Sequence, residues 1–593
     1  MDEVKVILNH ISELQRKVIP EVEQMVSLQK EIPLDRQHEI IKEAFDVFML
    51  LNNNLTHPQI KNDSFIKLYV ITLFRAMQHF PEPDVIDFFD DASFYEPFQY
   101  FWLLARQPFT QEFYATLLAV RNNQRRIQIT MLAPLDSQAC FYLNGEKLNI
   151  CSEKSRRVEF YGISLANRIT VWLDLPNNYN DDEPIELFCG DKRVIMIPRF
   201  GKSRISGVES LNHLVDILHP GRHLYSADAE NLWLFIDRAD NADDNAEHFY
   251  RYVKNNHPDQ AAVFVLSRKS SDWERLKVEG FNLIPFGTEA HRKVLKRCSM
   301  ILSSHLAYYV RDYLGPRLCN HKKIVFLQHG ITKDDISSWI NSFDLDLFVT
   351  SSKEEHHSIS HKGSPYFLSE ESVARTGFPR HDALVENIDK ETKTILIMPT
   401  WRRSLVDRFE GTQWIGLDNF QETDYFKSYQ HLLSSQRLKE LAIKHNYKVI
   451  FSLHPNFVIY KSLFTVPSWI EFLLPGVDET YQSLFKQSSL MITDYSSVAF
   501  EMAVAKKPVI YYQFDESSFF SGTHTYSKGY FDYRENGFGP VINEENDLLS
   551  ALEDFMMKGH IQQPWLSRLN EYDVLNDGYS CKRLWEEIKL RIL

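Results

Sequence analysis

The spacing of apolar residues changes twice along the chain, at about residues 125 and 231. In the first stretch Val4, Ile7, Ile11, Leu14, Val18, Met25, Leu28 and Ile32 recur at heptad-like intervals, interrupted by Pro20. The segments EAFDVFMLL, FIKLYVITLFRAM, PFQYFWLLA and EFYATLLAV then continue a helical, aromatic-rich stripe. This predicts an α-helical region over residues 1–124, either packed as ordinary helices or self-associating into a homo-oligomer. Between residues 125 and 205 the pattern becomes alternation: RIQITML, ACFYLNGEKL, RVEFYGI, RITVWLDL, IELFCG and KRVIMIP, parted by Asn-Gly, Pro-Asn-Asn and Gly-Asp turns. A small β-sandwich or β-barrel module is expected there. The stretch GKSRISG, residues 201–207, reads as a linker out of it.

From about Asn231 short, fully apolar runs alternate with amphipathic stretches, in the order LWLFID, AVFVLS, MILSSH, KIVFLQHG and DLFVTSS. A second series follows with TILIMPTW, KVIFSLHP, IEFLLP, SLMITD and PVIYY. Strands without alternation are buried on both faces, so each series predicts a parallel, doubly wound α/β sheet, and two in tandem predict a pair of domains around a cleft. The boundaries read as 230–385 and 386–593. The closing segment YDVLNDGYSCKRLWEEIKLRIL predicts a helix that packs back on the first of the two.

Doubly wound folds gather ligands where strands end, and the polar residues fall there. His329 and Gly330 follow KIVFLQ, Arg402 follows ILIMPTW, His454 follows VIFSL, and Asp494 follows SLMIT. After Asp494, the run Tyr495, Ser496, Ser497 leads into an apolar helix expected over Val498 to Ala505. Its hydroxyls and first amides suit either a plain helix cap or a phosphate. An imidazole is suited to proton transfer near neutral pH, and a guanidinium to phosphate oxygens. Asp344 and Asp346 form a DxD that fits either a strand edge or a metal-bound diphosphate, and Asp334 and Asp335 are candidate caps for a helix from Ile336. SLHP lacks the GxSxG elbow of a serine hydrolase, and no GxxxxGKS or GxGxxG occurs.

Composition narrows this further. With 66 Lys and Arg against 80 Asp and Glu the chain carries a net charge of -14, and no basic block marks a nucleic-acid binder. Six cysteines, Cys140, Cys151, Cys189, Cys298, Cys319 and Cys581, show neither zinc spacing nor a disulfide framework, which fits a reducing cytoplasm. No apolar run reaches the roughly 18 residues that span a bilayer, so contact with the inner face of a membrane is expected to be peripheral.

FLQHGITKDD, RTGFPRHDAL, MPTWR, LHPN and ITDYSSVAFEMAVAKKPVIYYQFD, in this order, resemble the CDP-glycerol glycerophosphotransferases, the teichoic acid and capsule polymerase group with a GT-B fold. RADNADDNAEHF and SSH are also similar to its first domain, and the resemblance runs from about Asn231 onward. It implies an acceptor-side domain followed by a CDP-donor-binding domain. It further implies transfer of glycerol phosphate or ribitol phosphate from a CDP-alditol to a hydroxyl of a polymeric or lipid-linked acceptor, with release of CMP. His329 is then the general base, and His454 a second catalytic residue that hydrogen-bonds the diphosphate. Arg402, Thr400, Asp494, Ser496, Ser497, Glu501, Gly330, Lys333 and Arg380 form the donor and phosphate set, with Glu501 on ribose hydroxyls. Arg380 and Asp382 fit either the nucleotide pocket or interdomain packing. No cofactor is certain; a divalent metal stays open as an alternative, without a convincing ligand set in the sequence. Where many members read HGTP this chain reads HisGlyIleThrLys from His329 to Lys333, which leaves alditol and acceptor identity open. A GT-B glycosyltransferase using a nucleotide sugar and a non-catalytic envelope-assembly scaffold are the alternatives.

Overall fold

The computed structural model describes strand segments between residues 113 and 210, most of residues 230–593, and only scattered positions before residue 113. Within the last span, residues 308–309, 311–321, 342, 344, 387–391, 411–412, 517–518, 520–527, 561 and 573 are outside the description. The expected helices and heptads of residues 1–112 also lie outside the described residues. The chain divides into two compact units, one of residues 1–222 with 362–367 and one of residues 223–361 with 368–593.

The first unit is built on β1 (Phe113–Asn123), β2 (Arg126–Ala133), β3 (Ala139–Leu143), β4 (Glu146–Lys147), β5 (Ile150–Phe160), β6 (Ile163–Asp174), β7 (Pro184–Cys189), β8 (Lys192–Pro198) and β9 (Val208–Ser210). They pair in the order β4-β3-β7-β8-β1-β2-β6-β5, with β9 beside β7. The sheet therefore starts earlier than the sequence suggested. EFYATLLAV, expected as helix, supplies β1, whose Val120 pairs antiparallel with Ile129 of β2 and whose Tyr114 pairs parallel with Ile195 of β8. A ladder on each side fixes the extended backbone over whatever helical preference the segment has. Ile127, Ile129 and Met131 alternate inward from β2 and are fully buried with Ile169, Val171 and Leu173 of β6.

The second unit opens with β10 (Glu230–Ile236), β11 (Ala261–Leu266), β12 (Leu283–Pro285), β13 (Cys298–Ser303), β14 (Lys323–Phe326), β15 (Leu347–Thr350) and β16 (Val373–Arg375). All neighbours are parallel, in the order β12-β11-β10-β13-β14-β15-β16, so the strand order reverses between β10 and β13. The second series gives β17 (Thr394–Ile397), β18 (Val406–Glu410), β19 (Gln413–Gly416), β20 (Lys448–Phe451), β21 (Ile470–Phe472), β22 (Leu490–Thr493), β23 (Val509–Tyr512) and β24 (Val541–Ile542). Its parallel sheet runs β21-β20-β17-β22-β23-β24 and reverses between β17 and β22, while β18 and β19 form a separate antiparallel ribbon that the sequence did not announce. These are the two doubly wound sheets of a GT-B fold.

Burial on both faces explains the unbroken apolar strands: every residue of Leu490–Thr493 and of Val509–Tyr512 is buried. Each such aliphatic side chain contributes about 1.5–3 kcal/mol relative to exposure. Helices cover the faces by apolar stripes. In α1 (Asn245–Asn256), Ala246, Phe249, Tyr250 and Val253 are buried at helical spacing, Asp244 caps the first turn, and Lys254 ends the last. The helices later used are α2 (Lys353–Ser360), α3 (Pro379–Val385), α4 (Ala499–Val504) and α5 (Ser580–Arg591). As expected, α5 returns to the first sheet's layer, where Trp585 stacks over His257 and meets Trp233 at 5.3 Å between ring centroids. Its orphan N–H groups at Ser580 and Cys581 donate to the Asp382 carboxylate of α3 at 2.8 and 2.9 Å. Of the two readings of Asp382, packing is thus the one observed. Gly377 makes this closeness possible: it has φ +80° and a Cβ there would lie 2.4 Å from Ser580 Oγ.

Candidate active site

Both switch points carry polar groups, and residues on the two sides meet. Asp237, just after β10, is buried and accepts from the N–H groups of Asp244, Ala246 and Glu247 and from Ser304 Oγ, which follows β13. The loop between Asp237 and α1 is further pinned by Ala242 N–H on Asp272, at 3.0 Å. It is tied to the second half of the unit as well: Tyr481 N–H donates to Asp243 at 3.0 Å, and Asn241 donates to the Gly476 carbonyl at 3.4 Å. Residues 238–244 therefore form a preset rim on the seam.

His329 stands at the end of β14 and is exposed. The residue before it, Gln328, has φ 60°, a left-handed conformation uncommon for a side chain of this size. Several bonds hold it: Gln328 Nε2 donates to Glu355 at 2.9 Å, Thr332 Oγ1 donates to Gln328 Oε1, and Asn245 donates to the Gln328 carbonyl at 2.7 Å. Glu355, on α2, also accepts from Thr332 N–H and Ser351 N–H, each at 2.7 Å. Burial pushes this carboxyl up to about 7. Glu355 carries no mark in the sequence, because a KEEHHS stretch looks like any solvated helix face.

The Ser304 backbone lies beside the His329 ring and favours its protonated form. Desolvation by the protein packed against the ring, helped by the charges of Arg238 and Arg380 and opposed by Asp244, lowers its pKa to about 4, while the residue keeps an exposed edge. The ring stacks on His305 at 4.4 Å. Burial, then Arg238, holds His305 down at about 3, against Asp244. His305 Nε2 receives a hydrogen bond from Arg238 Nε at 3.2 Å and lies 3.3 Å from Asp244 Oδ2. Asp244 itself pairs with Arg380, whose other arm pairs with Glu501 on α4. Arg380 thus links the half of the unit that holds the first sheet to the half that holds the second. Against burial, it holds Glu501 at about 2, with His381 assisting.

Glu501 is consequently engaged by Arg380 and His381 and buried, where ribose contact was expected of it. Arg402 is likewise engaged within the protein. Its guanidinium is 2% exposed, donates to Asp494 at 2.9 Å and to Asp515 at 2.8 Å, and gives its third edge to the Thr400 carbonyl at 2.8 Å. Tyr425, Tyr495 and Phe519 surround it within 5.3 Å. Asp494 accepts from Thr400 N–H, Tyr495 N–H and Arg402, and is fully buried. Arg402, Thr400 and Asp494 therefore hold the second switch point in shape through bonds to one another. Lys333 is likewise buried on Asp334 rather than directed at a ligand.

Ser496 and Ser497 do reach the seam. The helix they were expected to cap begins later, at Ala499, with Val498 as its cap residue, and Ser496 Oγ accepts from Val498 N–H at 3.4 Å. Ser497 comes against the His329 loop, since a Cβ on Gly330 would lie 2.6 Å from Ser497 Oγ. A side chain at Gly330 would thus have to displace the Ser497 hydroxyl. His454, after β20, has its ring beside Trp401 at 6.0 Å. Its Nδ1 accepts from Asn456 N–H at 3.1 Å, so Nε2 carries the proton and is a donor. Of the DxD, Asp346 accepts from Ile324 N–H at 2.8 Å and pairs with Lys323, a strand-edge role, and Asp344 lies outside the described residues. Asp335 accepts from Ser337 N–H at 2.9 Å, as a cap does. Among the described residues no group of three or more His, Cys, Asp or Glu is arranged to hold a metal ion.

A family model described as CDP-Glycerol:Poly(glycerophosphate) glycerophosphotransferase matches residues 220–590. The minor teichoic acid biosynthesis protein GgaB of Bacillus subtilis (strain 168) is 34% identical over 374 residues, covering 60% of this chain and 39% of that protein. A teichoic acid glycerol-phosphate transferase of Staphylococcus aureus is 25% identical over 241 residues, covering 38% of this chain and 56% of its own length. The chain thus spans little more than half, or less, of these relatives. The solved structure of the wall teichoic acid polymerase TagF aligns with TM-score 0.45 and 16% identity, over 64% of this chain and 96% of that one. Since the family model covers well over half of the chain, the protein belongs to the CDP-glycerol:poly(glycerophosphate) glycerophosphotransferase family.

Proposed function

We propose that this enzyme moves an alditol phosphate from a CDP-alditol to the terminal hydroxyl of a teichoic-acid-like or capsular chain, releasing CMP. The carrying observation is His329: an imidazole exposed at the seam, its pKa held down to about 4, so that near pH 7 it is neutral and has a nitrogen able to take a proton. That nitrogen takes the proton of the acceptor hydroxyl as its oxygen bonds to the phosphorus bearing the alditol. The phosphoanhydride bond to CMP breaks in the same step, and the electron pair leaves on the CMP phosphate. His454 Nε2–H and the hydroxyls of Ser496 and Ser497 donate to the diphosphate and offset this charge. His329 then releases its proton to solvent.

A resting pKa of about 4 makes His329 a poor base in the free enzyme. A bound diphosphate raises it by adding negative charge nearby, so proton affinity develops when donor is present. The donor is a soluble nucleotide, consistent with reaction in the cytoplasm, and the described residues contain no helix long and apolar enough to cross a membrane.

Incubation with CDP-glycerol or CDP-ribitol and an oligomeric alditol-phosphate acceptor is expected to release CMP in step with acceptor lengthening. Lengthening from a nucleotide sugar instead, with no CMP from either CDP-alditol, would assign the chain to sugar transfer.

A further inference from the structure

Arg238 is left unassigned by this mechanism, although it occupies the first residue of the rim beyond Asp237, at the reversal point between β10 and β13. Its neighbours in charge are already matched. Asp244 is paired with Arg380, Glu501 with Arg380 and His381, and Asp237 with backbone N–H groups and Ser304. Arg238 spends only Nε, on the neutral His305 ring, and its two terminal amino groups have no carboxylate partner among the described residues. It is half-buried, so solvent screens it only in part. Several other half-buried and buried guanidinium groups of the unit carry carboxylate partners, Arg251 with Glu247 and Glu279, Arg275 with Glu247 and Asp272, and Arg402 with Asp494 and Asp515, whereas Arg568, remote from the switch points, is bonded to the Gly537 carbonyl. In a chain with 14 more acidic than basic side chains, an unpaired cation held in a pinned loop is a site for an anion brought from outside.

The position suggests which anion. Arg238 is separated from His329 by one stacked imidazole, a 3.2 Å hydrogen bond to His305 followed by a 4.4 Å ring stack. Resting on the proposed reaction, we propose that Arg238 binds the acceptor's own phosphodiester, the one joining the terminal alditol to the rest of the chain. The attacking hydroxyl and that phosphodiester are one alditol apart, so an anchor beside His305 sets the hydroxyl against His329 without contact to the diphosphate. Arg238 is then the residue that distinguishes a phosphate-linked chain end from a free alditol. The rim that carries it is already fixed by Asp237 and Asp272, so little ordering accompanies binding.

Steady-state CMP release is to be measured for wild type, Arg238→Gln and Arg238→Lys, varying in turn CDP-alditol, a short alditol-phosphate oligomer, and the free alditol as a phosphate-less acceptor. Arg238→Gln is expected to raise KM for the oligomer about 10- to 100-fold, with KM for the donor and activity toward the free alditol unchanged. Arg238→Lys is expected to recover part of the loss. Equal losses with oligomer and free alditol, or a rise in donor KM alone, overturn the assignment, the latter giving Arg238 to the diphosphate. If Arg238→Gln does not fold, Arg238→Lys with a smaller but still oligomer-only rise in KM supports it, and an oligomer KM in Arg238→Lys equal to that of wild type at high salt overturns it. A wild type that releases no CMP with any acceptor instead removes the proposed reaction itself.

Discussion

The two switch points of the second unit carry similar residue types and use them in opposite ways. At the second, Arg402, Asp494 and Asp515 neutralise one another under a cover of aromatic rings. At the first, His329 is exposed, His305 is neutral and Arg238 lacks a counter-charge among the described residues. Charges that cancel internally hold a turn in shape, and charges left over are available to substrate. Strand-end position alone does not separate the two uses; the pairing does.

The largest expected effect tests the exposed side. His329→Ala is expected to lower kcat for CMP release about 100- to 10,000-fold with unchanged thermal melting, and turnover near wild type would remove His329 as base. The pH profile sharpens this. Protonation disables the base, so kcat/KM falls as pH drops through about 4, the region set by the free enzyme. Bound diphosphate favours the imidazolium, so the acid limb of kcat lies at higher pH than that of kcat/KM. Coincident limbs in the two profiles contradict that coupling.

Next comes the paired side. Arg402→Ala strands two carboxylates, one of them fully buried, and is expected to cost about 3–5 kcal/mol in denaturant unfolding. A variant with wild-type stability and a raised donor KM would instead return Arg402 to phosphate binding and erase the contrast. The smallest effect lies where the sides meet. Gly330→Ala puts a methyl group on Ser497 Oγ, whose small side chain can rotate away. Donor KM is expected to rise about 2- to 10-fold at unchanged stability, and an unaltered KM would show that the Ser497 hydroxyl is not a donor contact.

The parallel sheets were legible because strands buried on both faces have no polar alternation to hide them, as in TILI and LMIT. His329, His454 and the DYSS serines were legible for a related reason, since each directly follows such a strand. The pairing of Arg402 was not legible because its partner Asp515 lies 113 residues further on, and spacing along the chain does not show which charges cancel. Arg238 and His305 stood within motifs noted for their resemblance, yet their contact spans 67 residues and appears only once β10 and β13 are side by side. The start of β1 was missed because its strand character comes from two partners, not from its own composition.

The return of α5 to the first sheet has a consequence for biosynthesis. Residues 580–591 are made after both sheets, yet they cover the Trp233 and His257 surface, and their amides are capped only by Asp382. On the ribosome the first sheet therefore emerges early and waits, with an apolar flank open, until the last helix is released. The two halves of this unit reach their final stability together, and a fragment ending before Ser580 is expected to leave the half with the first sheet the less stable of the two.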